Sequence, residues 1–273
     1  MTRIAFLGLG AMGARMSVNL AEAGFDVVGW NRTPPAVSAI PLASTISDAV
    51  SGADIVIAMV TDDAASEEVW RVALPAMSKD ALAVEASTVS PARMAAFADD
   101  TKANGIAAIG APVAGSRPQA EAGELLFLTG GEKTDADRFA QAADAMGKAA
   151  IHAGTAVQAA SLKLMINGML AIQTAAMAEV LRFADKAGID PDAAVDLMAP
   201  VPVMSPAATF VGKQIAARQH APMFTVDLME KDLGYLTASG ASPVLSEVRA
   251  AFARAQQAGH GGQHITAVAE TLD

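Results

Sequence analysis

Lys163 is the only formal charge between Lys148 and Glu179, and Asn167 stands four residues beyond it. On a helix, at ~100° per residue, that spacing puts both side chains on one face about 40° apart. A lysine in so apolar a stretch must snorkel, pair or face a cavity. Apolar neighbours that desolvate its charged form are expected to favour the neutral amine, and such a lysine could both give and take a proton. Read in isolation, the pair also fits a boundary lysine beside a satisfied asparagine at the rim of a core.

A second constellation stands at the N-terminus, where the apolar run Arg3–Leu7 ends in Gly8-Leu9-Gly10-Ala11-Met12-Gly13. A helical stretch follows and closes at Gly24. Strand, Gly-x-Gly-x-x-Gly and helix in that order form a dinucleotide fingerprint. Gly8 makes the tight turn, Gly10 lets backbone approach a pyrophosphate, and Gly13 lets helix pack on strand. The helix N-terminus then offers N–H groups and partial positive charge to the phosphates. A second strand, Asp26–Trp30, ends at Asn31-Arg32-Thr33, with no carboxylate between Asp26 and Asp48. An acidic side chain there would take the ribose 2′-hydroxyl of NAD, whereas Arg32 suits a 2′-phosphate. NADP is therefore the expected cofactor, ahead of NAD.

The elements that must position these residues follow from the hydrophobic pattern. Strands are expected at Asp54–Val60, Leu82–Ala86, Ile106–Ile109, Leu125–Leu128 and Ala149–His152. Helices are expected over Ser66–Val72, from Pro91, and over Asp135–Met146. Alternation over about 150 residues predicts an α/β fold with a doubly wound, mostly parallel Rossmann-type sheet. Past Gly154 the β-branched runs vanish and helical patterns broken by prolines fill the chain. The expected division is a dinucleotide-binding domain over 1–154 and an all-helical domain over 155–273. Gln158–Ala187 would be the long helix joining them, apolar nearly all round and so buried.

Composition narrows the function further. Hydrophobic residues make up 52% and charged residues 18%, an ordinary globular balance. A net charge of −10 argues against nucleic acid or an anionic membrane as partner. Without cysteine there is no disulfide, thiol nucleophile or thiolate metal site. The N-terminus lacks the pattern of a signal peptide, and the uncharged run Leu164–Ala178 is too short to span a bilayer. A soluble, cytoplasmic protein is expected. No metal site is expected either: Gly261-Gly262 break the helical spacing of His260 and His264, which read as a mobile polar tail. His152 reads as a boundary histidine, His220 as a residue that could approach a cleft, and Asp62-Asp63 and Glu67-Glu68 as an exposed helix start.

Taken together, these motifs resemble the β-hydroxyacid dehydrogenase family, which includes 3-hydroxyisobutyrate dehydrogenases and the tartronate, succinic and glyoxylic semialdehyde reductases. The resemblance covers nearly the whole chain and rests on five separated motifs. They are Gly8–Gly13 with Asn31-Arg32-Thr33; Ser87-Thr88 with Pro91; Ala111-Pro112-Val113 with Gly115, Ala120, Gly123 and Leu125; Lys163 with Asn167; and Phe224, Leu228 and Lys231-Asp232-Leu233. It implies that Val60, Thr61 and Thr88 line the nicotinamide side of the cofactor and that Lys231 closes on it. Lys163 would be the proton donor and acceptor, and Asn167 would orient the reacting oxygen. The loop from Pro112 to Arg117, with Ala114, Gly115, Ser116 and Arg117, would hold a substrate carboxylate. Departures cluster there: the family usually has Asp, Ser, Gly, Gly and Thr where this chain has Gly110, Ala114, Ser116, Gln119 and Glu124. The implied activity is hydride transfer between nicotinamide and a small β-hydroxy acid or its semialdehyde, in a homodimer or homotetramer. Imine reduction on the same scaffold and a non-catalytic cofactor-binding module are the alternatives, and retention of Lys163 speaks against both.

Overall fold

The computed structural model describes residues 1–33, 37–238, 240 and 242–272. They separate into two compact units, Met1–Lys163 and Leu164–Asp273. In the first, strands and helices alternate as expected: β1 (Arg3–Leu7), α1 (Gly13–Glu22), β2 (Asp26–Trp30), α2 (Ile46–Val50), β3 (Ile55–Ala58), α3 (Asp63–Ala73), β4 (Leu82–Glu85), α4 (Pro91–Ala103) and β5 (Ala107–Gly110). These five strands pair in parallel in the order β2-β1-β3-β4-β5. Successive residues of a strand enter opposite cores, Ile4 and Phe6 on one face and Ala5 and Leu7 on the other. Both faces are covered, which is why the strands read as unbroken apolar runs. After β2 the chain crosses to β3 on the far side of β1. Strand order thus reverses at the C-terminal ends of β1 and β3, where open α/β sheets bind their ligands.

Beyond β5 the sheet ceases to be wholly parallel. β6 (Val113–Ala114), α5 (Arg117–Ala122), β7 (Leu125–Gly131), α6 (Lys133–Met146) and β8 (Gly147–His152) follow. β7 runs antiparallel to β5 and β6 and parallel to β8. The segment from Pro112 to Arg117, expected as a loop, is a short strand, a turn and the start of a helix. Val113 and Ala114 pair with Phe127 and Leu126. Gly115 turns the chain at φ +128, and the Gln119 side chain accepts the Ser116 N–H at 2.9 Å to open α5.

The long helix α7 (Ala156–Lys186) begins at a reciprocal cap. The Thr155 N–H donates to Gln158 Oε1 at 2.8 Å, and the Gln158 N–H donates to Thr155 Oγ1 at 3.2 Å. It ends at Gly188, whose φ of +76 lets Ile189 N–H return to the Ala184 carbonyl. Its first turns belong to the sheet unit, with Ala156 and Ala160 in the core that holds Trp70 and Phe97. Its later turns pack with α8 (Pro191–Met198), α9 (Pro206–Ala216), α10 (Val226–Thr237), α11 (Pro243–Ala255) and a 3₁₀ segment, Ile265–Thr271. By length and composition α7 would also cross a membrane, but those two cores account for its apolar character. Burial on every side does not hold. Met165, Met169, Val180 and Phe183 are exposed, Phe183 by 73%, and their helical spacing places them along one face.

The expected mobile tail is not one either. Phe224 and Ile265, His220 and His264, and Val226 and Gln263 join backbone to backbone. Those bonds draw His264 and the stretch Ile265–Val268 into the core of the second unit.

Candidate active site

In the first unit the glycine loop is built as its sequence requires. Gly8 has φ +102, and a Cβ on it would lie 2.3 Å from the Met59 carbonyl oxygen. A Cβ on Gly13 would lie 2.0 Å from the Gly8 carbonyl oxygen. Around Gly10 there is nothing within 4 Å of where a Cβ would stand, so its face is open to an approaching group. The Ala14 N–H donates to the Gly10 carbonyl and the Arg15 and Met16 N–H groups to that of Met12, so α1 opens directly from the loop, and no acidic side chain occupies its first turn. Leu9, Ala11 and Met12 complete the loop. Asn31 ties it to β2: its Oδ1 accepts the Leu9 N–H at 2.9 Å while its Nδ2 donates to the Thr33 carbonyl at 2.7 Å. Arg32 and Thr33 are exposed beside it. A cramped turn, an open glycine, a helix N-terminus free of acidic side chains and a cation at the end of β2 together fit a dinucleotide phosphate.

The loops after β3 and β4 are joined by a group that the sequence reading passed over. Glu85 is fully buried, and its carboxyl group meets Ser66 Oγ at 2.5 Å, Trp70 Nε1 at 2.9 Å and the Ser87 N–H at 2.9 Å. Ser87 Oγ in turn accepts the Val60 N–H at 2.8 Å. Thr61 is exposed and Thr88 half-buried at the same strand ends. The available signal was a carboxylate inside an apolar strand, Leu82-Ala83-Val84-Glu85-Ala86. Asp63, expected at an exposed helix start, instead accepts both the N–H and hydroxyl of Ser90.

Lys163 and Asn167 lie one turn apart on α7 and are 8% and 3% exposed. Asn167 Nδ2 donates to Asp232 Oδ2 at 2.6 Å, and Lys231 Nζ pairs with Asp232 Oδ1 at 2.7 Å. Since a carboxylate only accepts, Asp232 dictates which end of the Asn167 amide faces it. Lys231 also stands 4.7 Å above the Tyr235 ring. Asp232 therefore holds both Asn167 and Lys231, a role that its place in the sequence motif did not disclose.

The candidate substrate residues Ala114, Gly115, Ser116 and Arg117 lie together on β6 and the start of α5. The Asn19 amide of α1 donates to the Ala120 carbonyl at 2.8 Å and so fixes α5 against the glycine-loop helix. His220 does not face a cleft: its ring nitrogens meet Thr266 Oγ1 at 2.9 Å and Glu270 Oε1 at 3.1 Å. Among the described residues no three His, Cys, Asp or Glu side chains converge as a metal site.

Comparison with known proteins shows the family. Residues 3–154 match the family model of the NAD binding domain of 6-phosphogluconate dehydrogenase. Residues 157–272 match that of the NAD-binding domain of NADP-dependent 3-hydroxyisobutyrate dehydrogenase. The chain belongs to the β-hydroxyacid dehydrogenase family. It is 30% identical to a probable 3-hydroxyisobutyrate dehydrogenase of Mycobacterium tuberculosis, over 100% of this chain and 98% of that one. It is 28% identical to glyoxylate/succinic semialdehyde reductase 2 of Arabidopsis thaliana, over 98% of this chain and 79% of the relative. The solved structure of Mycobacterium tuberculosis 3-hydroxyisobutyrate dehydrogenase with L-serine superposes with a TM-score of 0.91 at 29% identity, covering 99% of each chain. As a β-hydroxyacid dehydrogenase, the protein is an NAD(P)-dependent oxidoreductase acting on hydroxyl groups.

Proposed function

We propose that this dehydrogenase prefers NADP(H) and acts on a small β-hydroxy acid or its semialdehyde, with Lys163 as the acid and base. The observation that carries the proposal is a buried lysine one helical turn from an asparagine whose amide is fixed by a buried carboxylate. When bound, the nicotinamide ring accepts or supplies the hydride. The glycine loop at the N-terminus of α1, with the open face of Gly10, would hold phosphate, and Arg32 would take the 2′-phosphate. Lys163 Nζ gives a proton to the oxygen on which negative charge develops, or removes it in the reverse direction. Asn167, held by Asp232, orients that oxygen. Ser116 and Arg117 are the side chains proposed to recognise the substrate carboxylate in place of the family serine that Ala114 lacks. The names of the relatives support the substrate class. L-serine and 3-hydroxyisobutyrate are both small β-hydroxy acids, and glyoxylate and succinic semialdehyde are small aldehydes that also carry a carboxylate. Retention of Lys163 favours carbonyl over imine reduction.

Fluorescence titration with both reduced cofactors tests the cofactor preference. NADPH should bind more tightly, by ~1.5–3 kcal/mol for a charge-assisted contact to the 2′-phosphate. Arg32→Ala should erase the difference, and equal or tighter binding of NADH to the wild type would remove Arg32 from that role.

A further inference from the structure

We propose that Glu85 is a positioning residue for the nicotinamide half of the cofactor, acting through Ser87 on the turn at Val60. This rests on the reading of the first unit as the dinucleotide site.

A carboxyl group with no solvent contact must be held by donors, and Glu85 is placed to receive three, from Ser66, Trp70 and the Ser87 backbone. None of those groups belongs to the glycine loop, so the carboxyl is not a phosphate ligand. Its effect passes along the chain instead. By fixing the Ser87 N–H, Glu85 sets where β4 ends and where the Ser87 hydroxyl points. That hydroxyl accepts the Val60 N–H, which fixes the turn leaving β3. The same turn presses on the fingerprint: a Cβ on Gly8 would meet the Met59 carbonyl carbon at 2.9 Å and Val60 Cγ1 at 3.1 Å. One buried carboxyl thereby coordinates the C-terminal ends of β4, β3 and β1, the edge at which strand order reverses and a ligand binds. Asn31 and Arg32, at the end of β2, belong to a second set of contacts, in which Asn31 holds Leu9 of the glycine loop and Thr33, and serve the phosphate and adenine half. The two halves of the cofactor site thus have separate supports.

Separate supports make a separable prediction. In Glu85→Gln the amide nitrogen must face either the Ser87 N–H or the Trp70 N–H, donor against donor, and one buried donor loses its acceptor. Ser87→Ala leaves the carboxyl and its donors in place and removes the hydroxyl's links to the Val60 N–H and the Ala58 carbonyl, both at the end of β3. Dissociation constants are measured by calorimetry for intact NADPH and for 2′-phospho-ADP-ribose, which lacks the nicotinamide; NADH and ADP-ribose replace them if the wild type prefers that pair. Glu85→Gln should weaken the intact cofactor by about tenfold and the truncated ligand by less than about twofold. Ser87→Ala should show the same selectivity in smaller degree, and it decides the matter alone if Glu85→Gln does not fold. A merely structural role would weaken both ligands equally or lower only the melting temperature, and either result overturns the proposal. A wild type that binds neither dinucleotide would overturn the underlying assignment of the site and this inference with it.

Discussion

At the scale of single residues the account turns on Lys163. Its sequence context singles it out as a candidate, because one charge in a long apolar helix has few places to go. The burial of both Lys163 and Asn167 agrees with that reading. Lys163→Ala should lower turnover by ~10²–10⁴ while leaving cofactor binding nearly intact, the usual worth of one positioned proton donor. Lys163→Arg should not restore it, because a guanidinium keeps its proton at any working pH. Stopped-flow turnover beside a cofactor titration separates the two effects, and recovery of activity in the arginine variant would exclude proton transfer by this group. Asp232 and Glu85 were harder to find. Their importance lies in what they hold across 65 residues for Asp232 and Asn167, and 15 for Glu85 and Trp70. No local pattern encodes such a partner.

At the scale of elements, the fingerprint glycines make different demands. Gly13→Ala would drive a methyl into the Gly8 carbonyl and should cost stability as well as binding. Gly10→Ala meets nothing in the protein itself, so its melting temperature should match the wild type while dinucleotide affinity falls about tenfold or more. Unchanged affinity in a folded Gly10→Ala protein would mean that no ligand approaches there. A second prediction concerns the 3₁₀ segment Ile265–Thr271. Burial pushes the His264 imidazole below its ordinary 6.5, against the Phe224 carbonyl that raises it, and the nearby His220 adds to the lowering. The folded state thus favours the neutral ring, so its stabilisation is complete above 6.5 and declines as pH falls below that value. Glu270, held below 4.5 chiefly by its bond with Arg218, contributes above that value and loses its share only at lower pH. Hydrogen exchange of residues 261–272, corrected for intrinsic rates, should show lost protection between pH about 7.5 and about 5.5, with β1 unaffected. Equal protection at both pH values would show that burial of His264 is not a pH-dependent support.

The parallel strands and the long helix were legible because each has its own periodicity and breakers. The antiparallel turn into β7 was not. A two-residue strand such as Val113–Ala114 has no period to read, and its pairing is set by Leu126 and Phe127, on the far side of α5. The stretch from His260 to His264 was misread as a mobile tail because its glycines suggest mobility, while its order comes from distant backbone partners near His220 and Phe224.

At the scale of the whole molecule, Met165, Met169, Val180 and Phe183 leave an apolar face of α7 uncovered in a single chain. We propose that a second copy covers it, giving a dimer or tetramer. Light scattering at micromolar concentration should then return a multiple of 27.7 kDa, and Phe183→Glu should shift the mass downward. A wild-type monomer would refute this. The central claim is hydride exchange between a nicotinamide cofactor and a small carboxylate-bearing substrate, completed by a proton from Lys163. The most direct measurement is the rate of nicotinamide absorbance change for the purified wild type and Lys163→Ala, across a panel of carboxylated semialdehydes and β-hydroxy acids. The account predicts cofactor turnover with at least one member of that panel, stronger with NADP(H), and a loss of ~10²–10⁴ in the variant. A wild type that binds cofactor yet turns over only uncharged carbonyls or imines, or a Lys163→Ala protein within a few-fold of wild type, would contradict it.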